Sequence, residues 1–357
     1  MRIVVAPDKF GGTLSAVEAS AAIATGWRRG AADAVIDEVP LSDGGPGFVD
    51  VLHNSLGGDL LPVTVRDPLA RPVPGAVLLV NDTAYVESAQ ACGLHLLAAK
   101  ERNPTNTSTY GVGQLVLAAL DAGATRIVIG LGGSATNDGG RGMLGALGLR
   151  ETQHAEALQV DRSGLDARLA QAELVAATDV DNPLLGPSGA SVVFGPQKGA
   201  RPETVALLEA RMRMWARAVD PAAAERPGAG AAGGLGFAIF LLGGRRESGV
   251  HIVGATVGLA AAVTQADLVV TGEGRFDDQS LRGKVVSGVA EAAQAAGVRC
   301  VVLAGQVRLD ADRAAAAGVD RAYAVTDEVG SVEEAMRRPA AGLERLAERV
   351  ARDYATM

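Results

Sequence analysis

The chain has 357 residues, of which 48% are hydrophobic and only 3% aromatic, and its net charge is −8 at pH 7. This length exceeds one typical domain, so we expect two, with interiors of small aliphatic side chains as in buried parallel strands covered by helices. The acidic balance argues against a nucleic-acid partner, because no basic surface dominates. A protein of this charge that handles anionic substrates must concentrate its few cations locally.

The two cysteines, Cys92 and Cys300, lie far apart in the sequence. We therefore expect neither a disulfide nor a zinc site, and a reducing compartment. The first residues, Arg2–Ala6, are typical of a strand and not of a signal peptide. Since no apolar run reaches the roughly 20 residues of a membrane span, we expect a cytoplasmic protein with no membrane partner. The sequence leaves a homodimer open.

The N-terminal segment predicts half of a doubly wound α/β unit. Ile3–Ala6 and Ala34–Leu41 read as strands, and Leu14–Arg28 carries apolar residues at helical spacing between them. In such folds the functional loops follow the carboxyl ends of the strands. Asp8 and Asp43 fall in these loops and are candidates for a catalytic role.

From about residue 60 the pattern changes to short strands separated by turns, which indicates a second domain. The strands predicted in the middle of the chain are Leu61–Arg66, Val73–Val80, Ala84–Glu87, Arg126–Ile129, Leu174–Ala177 and Ser191–Phe194. The helices predicted there are Val112–Ala122, Met143–Leu147 and Pro202–Ala218.

The last section returns to alternating strands and helices. Its predicted strands are Leu268–Thr271, Cys300–Ala304 and Ala322–Val325, and its predicted helices are Val285–Ala296 and a closing helix Val332–Ala355. The simplest architecture joins residues 1–58 and 266–357 in one doubly wound parallel-sheet domain. Residues 59–265 then form an inserted mixed α/β domain that contains the glycine-rich loops.

The glycine-rich run Gly130–Gly140 is the strongest local signal. Glycines let backbone N–H groups approach an anion, hydroxyl side chains add donors, and the N-terminus of the following helix adds partial positive charge. The alternative is a tight β–α turn whose glycines serve close packing. The residues expected to bind the phosphate or nucleotide are Gly132, Gly133, Ser134, Thr136 and Asn137.

Part of the same run also fits a nicotinamide-dependent oxidoreductase. Gly130–Ala135 matches the pattern G-x-G-x-x-A, and Glu151 lies near the offset expected for a ribose carboxylate. A second glycine run, Pro227–Gly234, matches G-x-G-x-x-G but follows an Ala/Pro-rich linker. A hinge or helix-entry loop is the better interpretation of that second run.

Two further polar loops follow predicted strands. Thr271–Ser280 contains Glu273 and Arg275 and is followed by Lys284. Phosphoryl transfer needs these types, since carboxylates hold Mg²⁺ or accept the substrate proton and cations balance phosphate charge. Arg275 could instead bind a substrate carboxylate with two hydrogen bonds. A surface turn with local ion pairs is the alternative.

The other polar loop, Thr178–Pro183, follows the predicted strand Leu174–Ala177. Asp179 and Asp181 alternate in an extended segment and therefore point the same way, which indicates a metal or general-base site. An Asx turn is the alternative. Lys198 lies in a predicted turn, and two roles are open for it: it contacts phosphate, or it caps a helix.

Taken together, these loops resemble the type I glycerate kinase family. The segments that carry the resemblance, in the family's order, are Pro7–Phe10, Leu14–Ser15, Asp43–Gly45, Gly132–Gly140, Ala177–Pro183, Gly195–Gly199, Gly230–Gly234 and Thr271–Arg275. The match runs nearly end to end. It implies ATP- and Mg²⁺-dependent phosphorylation of D-glycerate, a small-molecule substrate, at the 2-hydroxyl. It also implies a flavodoxin-like domain split by an inserted second domain.

Roles for the candidate residues follow from that resemblance. The glycine-rich run binds phosphate, and Asp179 and Asp181 hold Mg²⁺ or activate the acceptor hydroxyl. Lys198, Arg275 or Lys284 neutralises phosphate or binds the acceptor carboxylate. Candidates for the base or metal role are Asp8, Asp43 and Glu273, which the sequence does not rank.

Two positions depart from the family pattern. Gly11 stands where a lysine usually follows the phenylalanine of the first loop, and Pro46 stands where the second loop usually has glutamate. This exchange leaves three alternatives open: an unchanged acceptor, a related small hydroxy acid as acceptor, or a non-catalytic relative that binds such an acid.

Overall fold

The computed structural model describes residues 1–154, 157–281 and 284–355. The protein is of mixed α/β class, with parallel sheets. In the described ranges the strands are β1 (Arg2–Val5), β2 (Val35–Glu38), β3 (Asp59–Arg66), β4 (Pro72–Val80), β5 (Thr83–Glu87), β6 (Arg126–Gly130), β7 (Arg150–His154), β8 (Ala157–Asp161), β9 (Glu173–Ala177), β10 (Arg245–Glu247), β11 (Leu268–Thr271), β12 (Arg275–Phe276), β13 (Arg299–Ala304), β14 (Gln306–Val307) and β15 (Arg321–Ala324).

The α-helices of the described residues are α1 (Ala16–Gly30), α2 (Phe48–Leu56), α3 (Ala89–Cys92), α4 (Tyr110–Asp121), α5 (Arg141–Ala146), α6 (Ala190–Phe194), α7 (Pro202–Val219), α8 (Pro221–Glu225), α9 (Leu235–Leu241), α10 (Gly249–Thr256), α11 (Leu259–Val263), α12 (Val285–Ala295), α13 (Ala311–Ala316), α14 (Val325–Val329), α15 (Val332–Arg337) and α16 (Pro339–Ala355). Short 3₁₀ turns lie at Leu94–Leu96, Ala99–Glu101, Ala167–Ala170, Pro196–Lys198 and Ala231–Gly233. None of the helices in these ranges combines the length and apolarity needed to cross a membrane.

The chain folds into two compact units. The first unit contains Met1–Asp43, Asp50–Leu56 and Val250–Met357, and the second contains Gly44–Val49 and Gly57–Gly249. These units differ from the predicted domains chiefly over residues 44–49 and 250–265. The domain boundaries at 58/59 and 265/266 stay predictions.

The first unit is built on a parallel sheet in the order β15-β13-β11-β1-β2. Its central strands are buried along most of their length, as sequences rich in Val, Ile and Leu predict for strands covered on both faces. Because all five strands are parallel, their carboxyl ends lie along one edge. The predicted functional loops of this unit, those that contain Asp8, Asp43 and Glu273, therefore lie along that edge.

Helices α1 and α16 pack closely in the first unit. A Cβ added to Gly26 would lie 2.0 Å from the carbonyl oxygen of Glu344, and one added to Gly30 would lie 2.3 Å from that of Glu348. Two glycines four residues apart thus let the two backbones approach. Ser15 and Glu18 start α1 with a reciprocal capping box.

The second unit contains a mixed sheet in the order β10-β9-β6-β5-β4-β3. Strands β5, β6, β9 and β10 run parallel, and β3 and β4 add an antiparallel hairpin. The short strands predicted between residues 61 and 87 are confirmed. The carboxyl ends of β6 and β9 carry the glycine-rich run and the Asp179 loop.

Two predictions of local structure are wrong. Ser191–Phe194 lies in helix α6, where Val192 and Val193 are 39% and 44% exposed and not buried as in a core strand. Strand propensity of β-branched residues was overridden by tertiary contacts, among them the bond from Asn137 Nδ2 to Ser191 Oγ. The closing helix is divided into α15 and α16, because Pro339 has no N–H to continue the first of them and starts the second.

Candidate active site

A cavity of about 500 Å³ lies at the carboxyl edge of the sheet in the first unit. Residues that follow β1, β2, β11, β13 and β15 contribute to its lining. Strands β1 and β11 are neighbours, but the chain continues from them to opposite sides, to β2 and to β13. In open parallel sheets, ligands bind in the crevice at such a point. The charged residues of the cavity are Asp8, Lys9, Asp43, Glu273, Arg275, Asp277 and Lys284.

Lys9 connects two of the predicted carboxylates. Its Nζ lies 3.3 Å from Oδ1 of Asp8 and 3.3 Å from Oδ1 of Asp43. Burial lowers the pKa of Lys9, but the two carboxylates outweigh it and hold that pKa above its ordinary value. Burial also raises the pKa of Asp8 to about 6, against the attraction of Lys9. Lys9 was not among the predicted catalytic residues, although it directly follows Asp8.

Glu273 is the other buried carboxylate of the cavity. It follows β11 and is 8% exposed. Its Oε1 is buried and has no hydrogen-bond partner among the residues that the structure describes. Burial, the largest cause, raises the pKa of Glu273 to about 7, and the negative charge of Asp8 adds to the rise. A carboxylate that ionises near neutral pH beside a cavity is suited to accept a proton from a hydroxyl group.

Two further predicted cations line the same cavity. Arg275 begins β12 and is exposed, and Lys284 is the N-cap residue of α12. The N-terminus of a helix carries partial positive charge, so Lys284 and the N-terminus of α12 both place positive charge at the cavity. Together with Lys9 they can balance the charge of bound phosphate groups.

The glycine-rich run lies in the second unit, directly after β6. Gly132 is half-buried and Gly133 is exposed, with a φ of 62° at Gly133. In the described parts of the chain, the N–H groups of these two glycines meet no acceptor. They are therefore available to bind an anionic group.

The other predicted phosphate ligands lie beneath this surface. Ser134, Thr136 and Asn137 are buried, and so is Lys198, which is 2% exposed. The Nζ of Lys198 donates to Oγ of Ser134 at 2.9 Å and to the carbonyl oxygen of Thr136 at 2.6 Å. Lys198 thus supports the loop from inside and places a positive charge under it.

The N-terminus of the helix after this loop is not free to bind phosphate, so that prediction is wrong. The carboxylate of Asp138 accepts hydrogen bonds from the N–H groups of Gly140 and Gly142 at 3.0 and 3.1 Å. The N–H of Met143 donates to Oγ1 of Thr109. Because these groups already have internal partners, we expect the more accessible N–H groups of Gly132 and Gly133, and not the helix N-terminus, to bind an anion.

Because the ammonium group of Lys198 is buried, we expect the free energy of unfolding to change at alkaline pH. Burial lowers its pKa from 10.5 to about 8. Between these pH values the unfolded chain binds more protons than the folded one, so stability rises with pH. Relative to Lys198→Met, the wild type is expected to gain about 3 kcal/mol of unfolding free energy across this window. Urea unfolding of both proteins at several pH values measures this; a constant difference between them contradicts it.

The second glycine run, Pro227–Gly234, packs against the first through its last residues. The N–H of Gly139 donates to the carbonyl oxygen of Gly233 at 3.0 Å. A Cβ added to Gly233 would lie 1.9 Å from the carbonyl oxygen of Thr136. The run then enters α9, in agreement with its interpretation as a helix-entry loop.

This close contact makes Gly233→Ala destabilising. Gly233 and Gly243 both have positive φ, 72° and 85°, but an added Cβ at Gly243 meets nothing within 4 Å. We expect Gly243→Ala to cost about 1 kcal/mol for its backbone conformation. Gly233→Ala should cost about 2 kcal/mol more, because the backbone of the glycine-rich loop at Thr136 must shift. Denaturant unfolding of the two variants tests this, and equal losses of stability contradict it.

Asp179 and Asp181 follow β9, as predicted. Oδ1 of Asp179 accepts a hydrogen bond from Ser248 Oγ, and Asp181 is exposed. Among the described residues, no three or more His, Cys, Asp or Glu side chains are grouped so that they could hold a metal ion. The donor chemistry still fits Mg²⁺ that arrives with a nucleotide, because phosphate oxygens and water then complete the coordination of one or two carboxylates.

The two positions that depart from the family pattern lie in different units. Gly11 lines the cavity of the first unit, and nothing lies within 4 Å of an added Cβ. Pro46 lies beside the glycine-rich loop of the second unit: a Cβ added to Gly133 would lie 2.8 Å from Cγ of Pro46. Both departures therefore border groups with predicted roles.

Comparison with known proteins gives the family. A family model described as the glycerate kinase family matches residues 3–355. The chain belongs to this family. Glycerate kinase of Bacillus subtilis is 40% identical over 370 residues, covering 98% of this chain and 97% of that protein. Glycerate 2-kinase of Escherichia coli K12 is 39% identical over 356 residues, covering 94% and 93%.

A solved structure of a glycerate kinase 2 candidate from Salmonella typhimurium LT2 has the same fold. Its TM-score is 0.82 at 37% sequence identity, covering 100% of this chain and 98% of that one. The predicted membership of the glycerate kinase family is confirmed. A kinase is a phosphotransferase, and ATP is the implied phosphate donor.

Proposed function

We propose that this member of the glycerate kinase family transfers the γ-phosphoryl group of ATP to the 2-hydroxyl of D-glycerate, releasing 2-phosphoglycerate and ADP. The observation that carries the proposal is the cavity of the first unit, where the buried carboxylate of Glu273 shares the lining with Lys9 and Lys284. The names of two relatives, a glycerate kinase and a glycerate 2-kinase, support the substrate and the position of phosphorylation.

Glu273 is the general base in the proposed reaction. Its carboxylate accepts the proton of the 2-hydroxyl while the hydroxyl oxygen forms a bond to the γ-phosphorus. The bond from that phosphorus to the bridging oxygen breaks, and its electron pair leaves with ADP. Asp8 and Asp43 are weaker candidates, because Lys9 lies 3.3 Å from each of them and offsets their charge.

The cations have two tasks in this proposal. Lys9 and Lys284 balance the charge of the phosphate groups, and Arg275 binds the acceptor carboxylate through its planar guanidinium. The N–H groups of Gly132 and Gly133 bind a further anionic oxygen, supported from below by Lys198. Asp179 and Asp181 are the residues that would hold Mg²⁺, which supplies charge neutralisation of the nucleotide.

An assay with ATP, Mg²⁺ and D-glycerate tests the function. ADP release is followed by a coupled assay, and the product is identified by ³¹P spectroscopy, which separates 2-phosphoglycerate from 3-phosphoglycerate. We expect 2-phosphoglycerate. ADP release at background with every hydroxy acid contradicts the kinase proposal.

The same assay decides between the acceptors that Gly11 and Pro46 leave open. Higher kcat/KM for glycolate, lactate or L-glycerate than for D-glycerate identifies a kinase of a related hydroxy acid.

The oxidoreductase alternative is disfavoured because Glu151, its ribose carboxylate, is ion-paired with Arg141. Calorimetry with NADH and with ATP checks this; tight binding of NADH and none of ATP would reverse the order.

We further propose a flavodoxin-like fold for residues 1–58 and 266–357. Counted along that part of the chain, the sheet order is 2-1-3-4-5, which supports this assignment. Residues 59–265 are proposed as the inserted mixed α/β domain. A cytoplasmic location and a homodimer stay predictions, and light scattering in solution tests the second.

A further inference from the structure

One wall of the cavity in the first unit is apolar. Val332, Ala335 and Met336 lie at spacings i, i+3 and i+4 on α15 and share one helix face, and all three line the cavity. Val332 and Met336 are 41% and 59% exposed, so this face is uncovered. Val325 and Pro339 extend the same wall.

The order of the strands separates this wall from the charged groups. Val325 directly follows β15, Glu273 follows β11, and Lys9 follows β1. Neighbouring strands are about 4.8 Å apart, so the ends of β15 and β1, three strand spacings apart, are separated by roughly 14 Å. Along the sheet edge the cavity therefore changes from apolar to charged.

This gradient corresponds to the chemistry of a nucleoside triphosphate. Binding of a purine ring to an apolar surface is favourable because it removes the ring from water, whereas binding of a triphosphate requires cations that balance its charge. A small hydroxy acid such as glycerate has no group that gains from contact with Met336 or Val332. The volume of about 500 Å³ is within the usual range for a small-molecule site, about 300–1,000 Å³.

We propose that the wall formed by Val325, Val332 and Met336 binds the purine ring of ATP, and that the triphosphate extends along the sheet edge toward Lys284 and Lys9. This inference rests on the proposed function for the identity of the donor. Gln306 and Thr326, which also line the cavity, follow β13 and β15 and supply polar groups for the base edge or the ribose.

The test compares a wall variant with a matched surface variant. In Val332→Asn/Met336→Gln the wall becomes polar without a new charge. Met214→Gln is the control, because Met214 is another partly exposed helical methionine, 38% exposed on α7. The dissociation constants of ATP and of inorganic tripolyphosphate are measured by calorimetry without acceptor, and circular dichroism and light scattering report the fold and the oligomeric state.

We expect the wall variant to bind ATP about tenfold more weakly, which corresponds to about 1.4 kcal/mol of lost apolar contact. Binding of tripolyphosphate should change less than about twofold, since its contacts are with the cations. The control should bind both as the wild type does. Unchanged ATP binding, or equal weakening of both ligands, would overturn the assignment. A changed oligomeric state with unchanged ATP binding would assign the wall to a second copy of the chain instead.

Photolabelling locates the base without relying on a variant. We expect 8-azido-ATP to modify the tryptic peptide 322–337, which contains Val325, Val332 and Met336, and excess ATP to suppress the label. Labelling confined to other peptides overturns the inference. These readouts are independent of turnover: a wild type that binds ATP at this wall but forms no phosphoglycerate contradicts the proposed function alone.

Discussion

Glu273→Gln is expected to lower kcat by about 10²–10⁴-fold, the usual contribution of a general base. Glutamine has nearly the same shape as glutamate but does not take up the proton of the acceptor hydroxyl. The buried position of Glu273, 8% exposed, makes this loss hard for water to compensate. KM values for ATP and D-glycerate should change only a few-fold, because the cations that bind the anionic groups remain. Steady-state kinetics measures both constants.

The pH profile separates a catalytic role from a structural one. The base acts when deprotonated, and burial raises the pKa of Glu273 to about 7. Activity of the wild type should therefore rise with pH up to about 7, and this acidic limb should be absent in Glu273→Gln. Persistence of the same limb in that variant would assign it to Asp8, whose pKa burial raises to about 6.

Asp278→Asn is the matched control for Glu273→Gln. Asp278 lies in the same loop, is exposed, and forms an ion pair with Arg313. Loss of the Asp278 carboxylate should leave kcat within about twofold of the wild type, since exposed ion pairs contribute little to stability. A loss of activity equal to that of Glu273→Gln would mean that the loop is sensitive to any change of charge, and would contradict the specific role.

Lys198→Met is expected to reduce kcat/KM by about 100-fold or more. The ammonium makes two hydrogen bonds under the glycine-rich loop, to Ser134 and Thr136. Bonds from a charged donor contribute about 1.5–3 kcal/mol each, so their loss releases the loop from the shape that exposes Gly132 and Gly133. The positive charge under the bound anion disappears as well.

The fold should survive this change. Methionine fills nearly the same volume, and removing the buried charge offsets much of what the lost hydrogen bonds contributed, since burial lowers the pKa of Lys198 to about 8, which corresponds to about 3 kcal/mol against folding with the charge in place. Lys100→Met, at an exposed lysine of the same unit, is the control and should retain activity. If Lys198→Met unfolds at the same denaturant concentration as the wild type and is fully active, Lys198 has no part in anion binding.

The sequence was sufficient for most of the architecture. Strands β1, β6, β9, β11 and β13 were predicted because short runs of Val, Ile and Leu between glycine or polar turns are typical of buried parallel strands. It failed at α6, where β-branched residues lie in a helix. It also missed the antiparallel pair β7 and β8, because β7 carries no apolar residue and β8 has only the short alternation of Leu158 and Val160.

The candidate site, like the fold, has a part that the sequence predicted and a part that it did not. The sequence by itself determined the family and the loops that carry it, because their residue types and spacing are local properties of the chain. Only the tertiary structure decided which of those polar groups are accessible. Ser134 and Lys198 are 64 residues apart but bonded beneath the loop, and Asp138 closes the helix end that was expected to bind phosphate.

Burial explains why this second part was beyond the sequence. The raised pKa of Glu273 and the lowered pKa of Lys198 both arise chiefly from desolvation by burial, which exists only once the chain is folded. The separation of the apolar wall from the cations along the sheet edge likewise depends on strand order and not on any single motif. The sequence thus determines which chemical groups are present, and the folded structure determines their charge, their exposure and their neighbours.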